Sequence, residues 1–169
     1  MKNAIIVGAT SGIGKELAKI LVQKGYKVGI TGRRKTELER LKQTNPNNYF
    51  QSQGKGHLVG ISSIAGIRGS GIAPAYNASK AYQINYLEGL RQKANKTKKP
   101  IYVTDIRPGF VDTDMAKGDG QFWVATKEKA AHQIFGIIKR KKGIGYVTKR
   151  WWIIGKLLRI IPNVIYQRM

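Results

Sequence analysis

The first 31 residues leave few folds open to this chain. Residues 3–9, Asn-Ala-Ile-Ile-Val-Gly-Ala, form a short continuous apolar run that stops at glycine. A run without polar alternation suits a strand buried on both faces of a parallel sheet. From Gly12 the period changes. Ile13, Leu17, Ile20 and Leu21 fall on one helical face, and Gly25 stands where a C-cap would close the helix. Residues 26–31 read as a second strand and 34–43 as a second helix. Strand–helix–strand–helix predicts an α/β sheet with right-handed crossovers. Further along, 57–62, 101–106 and 145–148 read as strands. Residues 75–95 and 126–140 read as helices, the latter with Thr126 as its N-cap.

Composition narrows the class. A chain of 169 residues, 41% hydrophobic and 24% charged, suits one globular domain with a real core. It has no cysteine, so disulfides and thiolate metal sites are excluded and a reducing compartment is permitted. The N-terminal run is too short for a signal peptide, and no stretch reaches the length of a bilayer span. The expectation is a soluble, cytoplasmic domain. His57 and His132 have no ligand-type neighbours in sequence, so no metal is expected. The net charge of +22 raises nucleic acid or anionic membrane as partners. Residues 121–169 hold eleven basic side chains and one acid, Glu128. Residues 1–120 show no nucleic-acid motif and no basic–aromatic interleaving, so nucleic acid is not expected as a partner.

Three stretches carry chemistry. Gly8, Gly12 and Gly14 lie where the first strand hands into the first helix. Bare backbone N–H groups and the positive end of the helix dipole suit a pyrophosphate there, although glycines can also serve only a tight turn. At the end of the second strand an acid would accept from the adenosine ribose hydroxyls. Gly32 stands in that place, followed by Arg33, Arg34 and Lys35. Arginine can clamp a 2′-phosphate through paired hydrogen bonds, which favours NADP(H) over NAD(H). The plainer alternative is a solvated basic start to a helix. Finally, Tyr76 and Lys80 sit about one 5.4 Å turn apart on one helical face. A free phenol is a poor acid–base group near neutral pH, and a fixed cation favours its phenolate. Ser63 lies thirteen residues before Tyr76, just past the third strand, where ligands of α/β sheets bind. Such a trio suits hydride transfer to and from a carbonyl.

These pieces together resemble the short-chain dehydrogenase/reductase family. The matching stretches are Gly-Ala-Thr-Ser-Gly-Ile-Gly (8–14), Ile-Ser-Ser (61–63), Tyr-Asn-Ala-Ser-Lys (76–80) and Arg-Pro-Gly-Phe-Val-Asp-Thr (107–113), in the family's order. The resemblance implies a Rossmann-like doubly wound parallel sheet. It implies that Ser63 orients the substrate carbonyl, Tyr76 is the acid–base, and Lys80 assists Tyr76 and holds the nicotinamide ribose. Ser62, fourteen residues before the tyrosine, fits the spacing less well. Cofactor contacts are implied at Gly8, Thr10, Ser11, Gly12, Ile13 and Gly14, at Arg33 and Arg34, and at the loop of Pro108, Gly109, Val111 and Thr113. A small carbonyl or secondary-alcohol substrate and a homodimer or homotetramer follow from the same resemblance. The stretch 115–123 resembles a lid, and with the apolar tail it leans towards a hydrophobic substrate.

Two regions depart from the pattern. Only 55 residues separate Gly8 from Ser63, where the family places two more strands and two more helices. The seam is expected near 48–56. Either the chain is internally shortened, in which case the sheet must re-pair and a binding module or inactive relic becomes the alternative function, or a segment is omitted and the enzyme reading is intact. The chain then divides into a dinucleotide-binding and catalytic domain, 1–148, and a basic, apolar C-terminal segment, 149–169. That segment holds Trp151, Trp152 and eight Ile, Leu or Val between 153 and 165, with Lys156 and Arg159 among them. It suits either a helix packed over the substrate pocket or a partner subunit, or one lying in the headgroup layer of an anionic membrane through 149–168.

Overall fold

Helices pack on both faces of a five-stranded sheet, in which every neighbouring pair of strands runs parallel. The computed structural model describes residues 2–7, 12–31, 54–113 and 121–169. In chain order the elements are β1 (Lys2–Val7), α1 (Gly12–Gln23), β2 (Tyr26–Thr31), β3 (Gly56–Ile61), α2 (Pro74–Lys96), β4 (Ile101–Pro108), α3 (Lys127–Lys139), β5 (Ile144–Val147), α4 (Trp151–Ile160) and α5 (Asn163–Tyr166). A single 3₁₀ turn, Ile64–Gly66, follows β3. The helix expected at 34–43 lies outside the described residues.

The local reasons are those of the sequence. In α1 the helical spacing of Leu17 and Leu21 buries both fully, against Ile134 and Ile138 of α3 and Ile6 of β1. Each such burial contributes roughly 2 kcal/mol from transfer alone. Thr126 caps α3 as expected, its hydroxyl accepting from the Lys129 amide at 3.2 Å. On the opposite face α2 starts at Pro74, whose missing N–H is no loss in a first turn. It packs Leu87, Leu90 and Ala94 on Leu58, Ile101 and Val103 of β3 and β4. This is the doubly wound arrangement.

The strand order is β2-β1-β3-β4-β5. The usual dinucleotide-binding order, 3-2-1-4-5-6, puts another strand between the first strand and the one that leads to the catalytic serine. Here β1 pairs β3 directly, with Ala4 opposite His57 and Val7 opposite Gly60. The re-pairing that a shortened chain requires is therefore met by β3, in register over four residues. Both strands are apolar enough to be buried on two faces, so neither pattern forbids the pairing.

The C-terminal segment departs from a single helix. It breaks at Ile161–Pro162 into α4 and α5, since proline has no amide to continue the helical ladder.

Candidate functional site

The carboxyl ends of β1, β3 and β4 lie side by side, with Val7 opposite Gly60 and Ile61 opposite Ile106. This edge is where open α/β sheets bind ligands. The N-terminus of α1 meets it. Gly12 has φ +56°, and a Cβ there would lie 3.3 Å from Cγ2 of Thr113. The glycine box and the 107–113 loop thus adjoin at that point. Gly14 is buried and Ile13 packs partly into the core. Gly8, Thr10, Ser11, Arg33 and Arg34 lie outside the described residues.

The two serines after β3 have different fates. The Ser62 hydroxyl donates to Oδ1 of Asp105 and also approaches the Ile106 carbonyl at 3.1 Å. It is committed to β4. Ser63 caps the 3₁₀ turn, accepting from the Ala65 amide at 3.2 Å, and reaches the Pro108 carbonyl only at 3.4 Å. The long contact leaves its hydroxyl the freer of the two to turn towards another acceptor.

The turn is pressed onto α2. A Cβ on Gly66 would lie 2.6 Å from the backbone carbonyl carbon of Lys80, a distance no side chain can occupy. Asn77, buried in α2, donates through Nδ2 to the carbonyls of Ala65 and Arg68, both at 2.8 Å. Glycine and asparagine together fix the Ser63 turn against the helix that carries Tyr76 and Lys80. Lys80 Nζ donates to the Ile61 carbonyl and to Gln83 Oε1, each at 3.2 Å. It stands 5.7 Å from the centroid of the Tyr76 ring, within the range of a cation–π attraction. Tyr76 is 42% exposed. Tyr76 and Lys80, one helical turn apart in α2, thus meet as their spacing predicts.

Beneath the site β4 carries an ion pair that sequence reading missed. Arg107 Nε donates to Asp105 Oδ2 at 2.7 Å, and both side chains are fully buried. Arg107 also approaches the Tyr146 hydroxyl at 3.4 Å. Residues i and i+2 share one face of a strand, so the Asp-Ile-Arg spacing places the pair automatically. The signal was there in the two charges interrupting a buried strand.

The Pro108–Gly109 loop is held from behind. The Gly109 amide donates to the Val147 carbonyl at 2.6 Å, and Val111 bridges Ala125. Trp151 of α4 lies so close over Gly109 that a Cβ would fall 2.0 Å from its indole. Phe110, Phe122 and Trp123 pack around that indole at ring separations of 5.1–6.0 Å. The end of the lid-like stretch and the start of the tail therefore converge on the loop. Among the described residues no group of three His, Cys, Asp or Glu could hold a metal ion.

The chain matches the short chain dehydrogenase family over residues 2–49 and 45–122. The two stretches overlap close to the expected seam. An uncharacterized oxidoreductase of Mycobacterium tuberculosis is 34% identical over 116 residues, which is 68% of this chain and 44% of that protein. The chain thus spans less than half the length of that relative. A short chain dehydrogenase from Burkholderia cenocepacia, solved in complex with NADP, has the same fold at TM-score 0.72, with 18% identity over 99% of each chain. One from Sphingobium yanoikuyae, solved with NADPH, superposes at TM-score 0.67, with 16% identity over 96% of this chain and 97% of that one. The protein belongs to the short-chain dehydrogenase family.

Proposed function

We propose that this chain is an NADP(H)-dependent oxidoreductase that interconverts a carbonyl and a secondary alcohol, with Tyr76 as acid–base. The observation that carries the reading is the Lys80 ammonium beside the Tyr76 ring, anchored to the Ile61 carbonyl at the sheet's ligand-binding edge. The fold neighbours solved with NADP and NADPH support the choice of cofactor class, as do Arg33 and Arg34 in the sequence. The described residues fit a nicotinamide nucleotide. Gly12 opens α1 beside Thr113, and Lys80 offers a cation at the neighbouring strand end. Bound NADPH would supply the hydride for the carbonyl carbon.

The protein's part follows from its residues. Ser63 donates to the substrate oxygen and holds it in place. Tyr76 gives that oxygen its proton as the carbonyl becomes an alcohol, and takes it back in reverse. Lys80 keeps its positive charge beside the Tyr76 ring while the proton moves. The aromatic group of Phe110, Phe122, Trp123 and Trp151 beside the loop suits a hydrophobic substrate.

One observation favours a second reading, a non-catalytic binding module. The direct pairing of β1 with β3 leaves no room between them for the strand of the usual order. Fluorescence titration with NADPH, with NADH beside it, separates the two. The enzyme reading expects micromolar NADPH binding, weaker NADH binding, and turnover of a carbonyl panel. In Tyr76→Phe, cofactor binding should persist while kcat falls by about 10²–10⁴, the range of general acid–base catalysis. Failure to bind either cofactor would overturn the enzyme reading for this chain.

A further inference from the structure

The C-terminal helices present two different sides. On the docked side Trp151 covers Gly109, and Gly155 lies so close to Tyr146 that a Cβ would sit 2.6 Å from its ring. The segment is then fastened by Arg68. Its guanidinium donates to the carbonyls of Leu158 at 3.2 Å and Ile161 at 2.7 Å, to the Asn163 side chain, and lies 4.2 Å over the Tyr166 ring. The Tyr166 hydroxyl donates to the Gly69 carbonyl at 2.6 Å. A cation on the last carbonyls of α4 also opposes the negative end of its dipole. These helices are therefore held in one orientation.

On the outer side Trp152, Ile153, Leu157, Ile160, Val164 and Ile165 are exposed, Ile160 at 73% and Val164 at 66%. Within α4, positions 152, 153, 157 and 160 share one arc of the helical wheel, with Lys156 inside it and Arg159 at its rim. Lys156 Nζ stands 5.9 Å over the Trp152 ring. A contiguous apolar face of this kind marks an interaction surface. Its charge selects the occupant. Residues 149–169 carry five cations, Lys149, Arg150, Lys156, Arg159 and Arg168, and no acid. A two-fold contact with a second copy would set these cations against themselves. Nucleic acid would answer the cations but leave the aliphatic face uncovered. An anionic bilayer answers both, with phosphates for the cations, hydrocarbon for the isoleucines and an interfacial layer for Trp152.

We infer that the outer face of α4 and α5 lies in the headgroup layer of an anionic membrane, parallel to its surface. The inference is independent of cofactor binding and turnover. It places the bilayer beside the loop of Arg68, whose own carbonyl accepts from Asn77 of α2. The test is co-sedimentation with vesicles of phosphatidylcholine alone and with about one-third phosphatidylglycerol, a composition rich enough in anionic lipid to attract basic segments. The expected result is at least tenfold stronger partitioning onto the anionic vesicles, weakened by salt. The exposed-residue variant Trp152→Ser/Ile153→Ser/Ile160→Ser should lose at least tenfold, with its circular dichroism unchanged. Bromine-labelled acyl chains should quench the wild-type tryptophan emission, and Trp152→Phe should lose most of that quenching while still binding. The proposal is overturned by equal partitioning onto both vesicles, by a triple variant that binds like wild type, or by no vesicle binding. It is also overturned by light scattering that shows a dimer dissolved by the triple variant, or by an oligonucleotide that binds the wild type through this face.

Discussion

His57 sits at the opposite end of the sheet from Lys80, near the starts of β3 and β4. Its Nε2 lies 2.6 Å from Thr104 Oγ1, whose own proton goes to the Lys142 carbonyl at 2.7 Å. The imidazole must therefore be the donor to Thr104. Burial, and after it the nearby positive charge of Lys141, lowers its pKa from 6.5 to about 4. A folded state that resists the proton is penalised wherever the unfolded chain accepts it. Stability from this group is complete above pH 6.5 and is lost as pH falls towards 4. Between pH 7 and 4.5 the loss is about 2.5 kcal/mol by linkage. Urea unfolding at the two pH values measures it, and His57→Gln, which can still donate to Thr104 but cannot titrate, should remove most of the difference. An unchanged pH slope in the variant would assign acid sensitivity to other groups. The Asp105–Arg107 pair follows different arithmetic. Its burial costs both ions their hydration, and the 2.7 Å contact with the added bonds from Ser62 and to Tyr146 offsets that cost.

Between elements, the contact that matters most for the site is the clamp of α2 on the Ser63 turn. Removing the Asn77 side chain strands two part-buried carbonyls, those of Ala65 and Arg68. Asn77→Ala is expected to cost about 2 kcal/mol. Asn77→Asp should cost more, because it aims a carboxylate at the same two oxygens. Denaturant midpoints of the two variants give the order, and the reverse order would mean that the side chain acts by packing alone. How much of this was legible depends on range. The strands β1–β5 and the helices α1, α2 and α3 were, since apolar runs and helical spacing are local properties. So was the meeting of Tyr76 with Lys80, one helical turn apart. The β1–β3 pairing was not, because it joins residues some fifty positions apart and either strand could pair with any other apolar strand. The placing of Trp151 over Gly109 was hidden for another reason. The wheel of 151–160 is apolar on both its docked and its outer side, so periodicity could not tell which indole faces inward. Arg68 is the strongest omission. An isolated arginine in a loop carries no local sign that it will cap a helix ninety residues away.

At the scale of the molecule the dominant property is charge. Thirty-one basic side chains oppose nine acidic ones on 169 residues; among the described residues Lys19 pairs with Glu16 and Arg107 with Asp105. The remaining cations repel one another more in the folded state than in the expanded chain, which favours unfolding. Added salt screens that repulsion. At about 0.01 M ionic strength the Debye length is about 30 Å, long enough to couple cations across the whole domain, and at about 0.15 M it is about 8 Å. The melting temperature should therefore rise as sodium chloride is raised across that range, most steeply at the low end. A gain of 1 kcal/mol corresponds to roughly 2–4 °C for a domain of this size. Scanning fluorimetry at fixed pH records the curve. A melting temperature that falls with salt would mean that attractive pairs outweigh the repulsion. The same screening weakens the attraction of α4 and α5 for anionic lipid. Salt is thus expected to drive stability and membrane partitioning in opposite directions.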